Sequence, residues 1–175
     1  TTDDDVAGFT IVELDGATEV DESGTTDTFT VVLDAQPSDN VVIAMSSSDI
    51  GEATISGTIS FTPANWDTPQ TVTVTGVDEN TIDGDQTSTV TITIVDSISD
   101  SDFSNVADQT VSVVTTDDDV AGFTIVELDG ATEVDESGTT DTFTVVLDAQ
   151  PTSDVVLTIT SDDTGEATVN SPLTF

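Results

Sequence analysis

Thr115-Thr116-Asp117-Asp118-Asp119-Val120-Ala121-Gly122 also stands at the start of the chain, as Thr1-Thr2-Asp3-Asp4-Asp5-Val6-Ala7-Gly8. The identity extends beyond these letters, because residues 1–37 match residues 115–151 without a difference. A repeat whose copies begin at residues 1 and 115 is long enough for a whole domain, and it indicates an array of domains rather than a solenoid of small repeats. The triple aspartate therefore marks the junction between two repeated modules.

The triple aspartate places three negative charges side by side. Two carboxylates about 4 Å apart repel each other by roughly 1 kcal/mol in water, and by more where water is partly excluded. The chain contains no Lys, Arg or His, and its net charge is −36. A cation that balances the junction must therefore come from solution, and a hard divalent metal such as Ca2+ suits carboxylate oxygens.

The composition narrows the class of protein. Val, Ile and Thr are abundant and apolar residues alternate with polar ones, which indicates a folded chain despite the charge. The absence of Lys and Arg excludes nucleic acid as a partner, since binding to phosphates depends on them. The charge also argues against anionic membrane surfaces, and we expect no membrane insertion. With no Cys, the chain has neither disulfides nor thiolate metal ligands.

Short segments with period-2 alternation and turn residues between them run along one unit. In the second segment Phe29, Val31 and Leu33 share one face, and in the sixth Ile92 and Ile94 do. The pattern predicts an all-β protein, a seven-stranded Greek-key (Ig-like) β-sandwich in tandem repeat with an incomplete second copy. The seven strands are expected near residues 8–14, 26–34, 40–46, 58–62, 70–77, 87–95 and 109–115.

The repeat also predicts the domain boundaries. Residues 1–5 are expected to end a preceding repeat, residues 6–119 to form one complete sandwich, and residues 120–175 to form the N-terminal half of a second one. A half-sandwich exposes an apolar face and should not be stable alone. Completion of that half by strands of another chain is one hypothesis, and it would give a filament by strand exchange.

Catalysis is poorly supported by the residues present. General acid–base and nucleophilic mechanisms mostly use His, Cys, Lys or Tyr, and the chain has none of them. A carboxylate pair could hydrolyse glycosides, but such sites usually lie beside aromatic residues that hold the sugar, and Trp66 is the only Trp. We expect Trp66 to cap the sandwich core and the protein not to be an enzyme.

The acidic residues divide into clustered and scattered ones. The clustered ones fall in turns and at strand ends that a sandwich can bring together at one end of the module, where Ca2+ would find the roughly six to eight oxygens it prefers. The scattered ones, such as Asp27, Asp39 and Asp100, are expected to be solvated surface charges. The clustered ones are Glu22 before the second strand, Asp78 and Glu79 after the fifth, Asp83 and Asp85 in the next loop, and Asp117, Asp118 and Asp119 after the seventh.

The loop after the fifth strand differs from a known calcium loop. It is not an EF-hand, because Ile82 stands at the third acidic position and the Gly is displaced. Gly76, at the end of the strand before it, suggests a β-bulge.

At the clustered positions the chain resembles a Calx-β domain, the calcium-binding β-sandwich of sodium–calcium exchangers. The resemblance covers the whole unit and is strongest at Asp117–Thr124, at Val20-Asp21-Glu22, and at Val77-Asp78-Glu79 followed by Asp83-Gly84-Asp85. It implies that Ca2+ is the bound cofactor. The ligands that it implies are Glu22, Asp78, Glu79, Asp83, Asp117, Asp118 and Asp119, with Asp85 as a weaker match.

The chain departs from the family at one ligand position. Gly51 stands where the family has an Asp before its fourth strand, and Glu52 or Asp49 is available to substitute. In the second copy the resemblance leaves Glu136 as a ligand, with Glu166 or Asp163 as its only neighbours of this kind. Asp3, Asp4 and Asp5 are implied as ligands too, although they lack the preceding module that would complete their site.

Tandem, near-identical, lysine-free modules of this kind are similar to the extender regions of large secreted bacterial adhesins. That similarity implies an extracellular stalk or fibre on a bacterial cell surface, in which Ca2+ at each junction makes neighbouring repeats of the same chain rigid. The alternatives are an adhesive module that binds a glycan or protein through its loops, a filament subunit assembled by strand exchange, and a calcium sensor. A sensor needs two states that differ in calcium affinity.

Overall fold

The structure is a computed structural model that describes residues 5–175. Residues 5–79 and 83–118 form a first unit, and residues 80–82 and 119–175 form a second. Asp3 and Asp4, two of the expected metal ligands, lie outside the described residues. Within the described part of the chain, no helix is both long and apolar enough to cross a membrane.

The first unit is a sandwich of two β-sheets, which confirms the all-β fold that the alternation predicts. Its strands are β1 (Phe9–Glu13), β2 (Thr18–Asp21), β3 (Thr26–Leu33), β4 (Val41–Ser47), β5 (Ala53–Ile55), β6 (Ile59–Phe61), β7 (Gln70–Gly76), β8 (Gln86–Ile94) and β9 (Gln109–Thr116). One sheet has the order β1-β3-β7-β5, and the other has the order β2-β9-β8-β4-β6. Two short 3-10 helices, Asp96–Ile98 and Ser101–Phe103, lie between β8 and β9.

Alternate residues of the long strands fill the space between the two sheets. Phe29, Val31 and Leu33 of β3 are buried on one side, and Val90 and Ile92 of β8 are buried on the other. Each such side chain contributes about 1.5–3 kcal/mol when it leaves water completely. Trp66 is half-buried and packs against this core, as we expect of a cap.

Two of these strands, β2 and β5, add to the seven that the sequence predicts. The strand β2 pairs with β9 in parallel, and Asp21 lies opposite Thr116. After this pair the N–H of Glu22 donates to the carbonyl of Thr116 at 3.1 Å. A strand of four residues whose partner lies far along the chain leaves little periodic signal in the sequence. The pairing of β2 with β9 brings Glu22, one of the expected metal ligands, to the end of β9.

The second unit repeats the first hairpin of the sandwich. Its strands are β10 (Phe123–Glu127), β11 (Phe143–Leu147), β12 (Val156–Leu157) and β13 (Leu173–Thr174). The pair β10–β11 keeps the register of β1–β3, with Phe123 opposite Leu147 as Phe9 is opposite Leu33. However, Phe9 is 3% exposed and Phe123 is 51% exposed. Residues 120–175 contain no counterpart of β7, β8 and β9.

Asp100 corrects one prediction, because it is not a solvated surface charge. Its side chain is only 5% exposed and lies at the start of the second 3-10 helix. One oxygen accepts from the N–H of Asp102 at 3.0 Å, and the other accepts from the N–H and hydroxyl of Ser38 and from the N–H of Asp39. These bonds, led by that from Asp102, lower the pKa of Asp100 to about 2. The carboxylate therefore joins two loops that are distant in sequence.

Candidate metal centre

The turn that carries Glu22 is defined by its own sequence. The N–H of Asp21 donates to the hydroxyl of Thr25 at 2.7 Å, and the side chain of Asp21 accepts from the N–H of Ser23 at 2.8 Å. Gly24 closes the turn with a φ of +87°, a conformation that glycine adopts without a steric penalty. Residues 135–139 of the second unit form the same bonds. Local sequence is therefore sufficient to form this turn in either unit.

Glu22 is a buried carboxylate without a hydrogen-bond partner. Its exposed fraction is 0%, and neither Oε1 nor Oε2 accepts a hydrogen bond from any described residue. Burial, together with the nearby carboxylates of Asp117, Glu52, Glu79 and Asp83, raises the pKa of Glu22 to about 7. A buried charge of this kind is costly unless an opposite charge or a metal compensates it. The chain has no basic side chain that could do so.

Glu79 and Asp83 lie beside Glu22. One carboxylate oxygen from each of these three residues lies within 4.8 Å of the other two. Calcium binds oxygens at roughly 2.4 Å, so its ligand atoms lie on a sphere about 4.8 Å across. The three oxygens are thus close enough to share one ion. Gly84, with a φ of +75°, follows Asp83, and its N–H donates to Asp117 Oδ2 at 2.8 Å.

Glu52 is the second buried carboxylate at this end of the sandwich. It is 9% exposed, and its Oε2 atom has no hydrogen-bond partner among the described residues. Burial, followed by the charges of Asp83, Glu79, Asp49 and Asp117, raises its pKa. Asp49 is exposed and accepts from the N–H of Gly51 at 2.9 Å. Of the two substitutes that the sequence offers beside Gly51, Glu52 is therefore the buried one, with an oxygen left for a cation.

The other expected ligands have different surroundings. Asp117 is half-buried, and its N–H lies 3.4 Å from Asp85 Oδ1. Asp119 is half-buried and belongs to the second unit. Asp3 and Asp4 lie outside the described residues. Exposed side chains belong to Asp5, Asp78, Asp83, Asp85, Asp118 and Glu136. The buried part of the group is thus smaller than the set that the family resemblance implies.

Gly76 has a role that the sequence did not reveal. It is not a bulge, because it pairs regularly with Ala53 in the β5–β7 ladder. A Cβ at this position would lie 2.1 Å from the carbonyl oxygen of Asp21. Close backbone approach is the other reason for a glycine inside a strand, and the sequence alone does not distinguish the two.

The donor set fits a hard divalent cation. All the side chains that converge here are carboxylates, and two of them hold buried oxygens without a hydrogen-bond donor. Calcium accepts about six to eight oxygens in flexible geometry, whereas magnesium is smaller, usually keeps several waters and needs fewer protein ligands. A group rich in carboxylates therefore fits Ca2+ better than Mg2+.

The chain is similar to several solved structures. It is 17% identical to the apo form of the Calx CBD1 domain, with 63% of this chain and 98% of that chain covered and a TM-score of 0.45. For the calcium binding domain CBD12 of CALX1.1, the identity is 14%, the coverage is 80% and 70%, and the TM-score is 0.46. The E. coli chaperone DraB is 6% identical over 86% and 90% of the two chains, with a TM-score of 0.46. No family model and no curated protein matches the sequence. At these TM-scores the sandwich assignment rests on the strands of this chain itself.

Proposed function

We propose that the first unit is a calcium-binding structural module. Glu22, Glu79 and Asp83 hold the ion, and Glu52 and Asp117 supply further oxygens. The observation that carries this proposal is the fully buried carboxylate of Glu22, which has no hydrogen-bond donor and lies among other carboxylates. A bound cation would compensate that charge and hold together the turn after β2, the loop after β7 and the end of β9.

The expected gain in stability is modest for each ion. Extracellular calcium modules bind with dissociation constants of about 10−4 to 10−3 M. At roughly 10 mM calcium, one such site adds about 1.4–2.7 kcal/mol to the free energy of unfolding. This is a substantial share of the roughly 5–15 kcal/mol that stabilises a typical domain. Removal of calcium should therefore lower the melting temperature, and this effect can be measured without an activity assay.

We further propose that such modules form an extracellular stalk or fibre on a bacterial surface, with neighbouring repeats of the same chain as partners. Two observations support this part. Residues 1–37 and 115–151 are identical, which suits a spacer better than a ligand-binding loop that diversifies. The net charge of −36 also opposes the association of neighbouring copies through their strand edges.

A thermal melt in three metal conditions tests the proposed function. The protein is stripped of metal and then melted with 10 mM calcium, with 10 mM magnesium or with excess EGTA. We expect a higher melting temperature in calcium than in either of the other two conditions. Equal melting temperatures in calcium and EGTA would overturn the proposal.

A further inference from the structure

The turn that carries Glu22 lies directly against Gly76 of β7. The N–H of Gly76 donates to the carbonyl of Thr25 at 3.0 Å. A Cβ at position 76 would lie 2.1 Å from the carbonyl oxygen of Asp21, 2.9 Å from its carbonyl carbon and 3.3 Å from its nitrogen. All three atoms are backbone, so no side-chain rotation relieves the clash. A residue with a side chain at position 76 would have to displace the turn.

Gly76 also lies beside the second buried carboxylate. It pairs with Ala53, the residue after Glu52, and the N–H of the next residue, Val77, donates to the carbonyl of Glu52 at 2.9 Å. The chain then continues to Glu79. Three segments that carry carboxylates of the proposed site therefore meet at the end of β7.

The second unit shows what the turn does without these neighbours. Its residues 135–139 form the same internal hydrogen bonds as residues 21–25, with the N–H of Asp135 donating to the hydroxyl of Thr139 at 2.8 Å. Glu136, at the position of Glu22, is nevertheless exposed. Turn formation alone does not place the carboxylate. Packing of the turn on other strands places it, and β7 contacts the turn at Gly76.

We propose that Gly76 is a positioning residue of the cation site: the absence of a side chain there lets the turn settle on β7 and brings the carboxylate of Glu22 within ligand distance of Glu79 and Asp83. This inference rests on the proposed function, because it concerns the same ion. It predicts that the affinity for calcium depends on a residue that has no oxygen ligand to offer.

The test compares the full chain with its Gly76→Ala and Gly57→Ala variants. Gly57 is a suitable control, because it is exposed and a Cβ there meets no atom within 4 Å. Calcium is titrated into metal-free protein by isothermal calorimetry, and the melting temperature in EGTA is measured beside it. A purely structural loss lowers that temperature and leaves the dissociation constant of the folded protein unchanged.

We expect Gly76→Ala to bind calcium at least tenfold more weakly than the wild type, and Gly57→Ala to bind as the wild type does. A folded Gly76→Ala protein with wild-type affinity would overturn the inference while leaving the proposed function intact. If the wild type itself releases no heat and shows no calcium-dependent melting, the proposed function fails, and the inference fails with it.

A second pair of variants applies if Gly76→Ala does not fold. Thr25→Ala removes the hydroxyl that accepts from the N–H of Asp21, at an exposed position where folding should survive. Thr139→Ala removes the same bond from the identical turn of the second unit. We expect weaker calcium binding from Thr25→Ala alone. Equal affinities for both variants and the wild type would show that the placement of the turn does not govern binding.

Discussion

Glu22 and Glu136 occupy the same position in two identical turns, yet Glu22 is completely buried and Glu136 is exposed. The hydrogen bonds within the two turns are the same. The difference comes from two strands that have no counterpart in residues 120–175: β9, whose Thr116 carbonyl accepts from the N–H of Glu22, and β7, which contacts the turn at Gly76. The same substitution can therefore be made at Glu22 and, as a matched control, at Glu136.

The first prediction uses this pair. Glu22→Gln removes a buried charge that no hydrogen bond compensates, so we expect the variant to melt at a higher temperature than the wild type in EGTA at pH 8. In calcium the order should reverse, because the substitution removes a ligand and should weaken binding at least tenfold. Glu136→Gln should change neither measurement. If calcium raised the melting temperature of Glu22→Gln as much as that of the wild type, Glu22 would not be a ligand.

The second prediction concerns the pH dependence of stability without metal. The pKa of Glu22 is raised to about 7 from an ordinary value of 4.5, first by burial and then by the carboxylates around it. The folded state then holds a proton that the unfolded state releases. The contribution to stability is fully present below about pH 4.5 and is lost as pH rises through 7. The loss is about 3 kcal/mol at most, and less where water screens the carboxylates.

Melting curves between pH 4.5 and 8 in metal-free buffer measure this effect. Glu22→Gln is the control, since it should show a smaller fall over the same range. Calcium binds the ionised carboxylate, so at saturating calcium the fall in melting temperature toward pH 8 should be smaller or absent. A metal-free wild type whose melting temperature rises from pH 4.5 to 8 would contradict the burial of Glu22.

The third prediction concerns Asp100. Its carboxylate accepts hydrogen bonds from Ser38, Asp39 and Asp102 in a buried position, and hydrogen bonds to a charged group contribute about 1.5–3 kcal/mol each when a partner is removed. Asp100→Ala should therefore lower the free energy of unfolding by roughly 2–4 kcal/mol. Asp39→Asn, an exposed substitution in the same loop, should have little effect. A change below about 0.5 kcal/mol would show that the loops hold together without this carboxylate.

Asp100 also predicts a loss of stability in acid. Its pKa is lowered from 3.8 to about 2, first by the bond from Asp102 and then by those from Ser38 and Asp39. The contribution is present above about pH 4 and is lost as pH falls toward 2, where the folded state must take up the proton. Chemical denaturation at pH 5 and pH 2.5 should show a smaller difference between wild type and Asp100→Ala at the lower pH.

The sequence predicted the features that depend on local pattern. Alternation along Phe29, Val31 and Leu33 predicted a strand with one buried face, and β3 has that face. The position of Glu22 in a turn next to other acidic segments, together with the family resemblance, predicted that it would take part in a carboxylate group. Both features are encoded within a few residues or within a motif.

Features created by distant contacts could not be predicted. The residues of β2 form a strand in the first unit, whereas the identical residues 132–135 do not in the second, so the partner strand and not the local sequence determines the conformation. The sequence predicts a solvated Asp100, because its donors on Ser38 and Asp39 are remote in sequence. It suggests a bulge at Gly76, because the approach of Asp21 is visible only in the folded chain.

The last prediction uses hydrogen exchange of a peptide whose sequence is the same in both units. A peptide that covers residues 9–33 has the same mass and the same intrinsic exchange rates as one that covers residues 123–147. In the first unit β3 pairs on both sides, with β1 and β7, and its apolar side chains are buried. In the second unit β11 pairs with β10 alone within the described residues, and Phe123 and Ile125 are exposed. Amides in a strand packed on both sides open only with the unit, whereas those of a lone hairpin open locally.

We therefore expect this single peptide mass to show two isotope envelopes of equal intensity, one protected and one exchanged. A peptide from residues 86–94, which occurs once, should show one protected envelope. A single envelope for the repeated peptide would mean that the two hairpins are equally stable and that β7 adds no protection to β3.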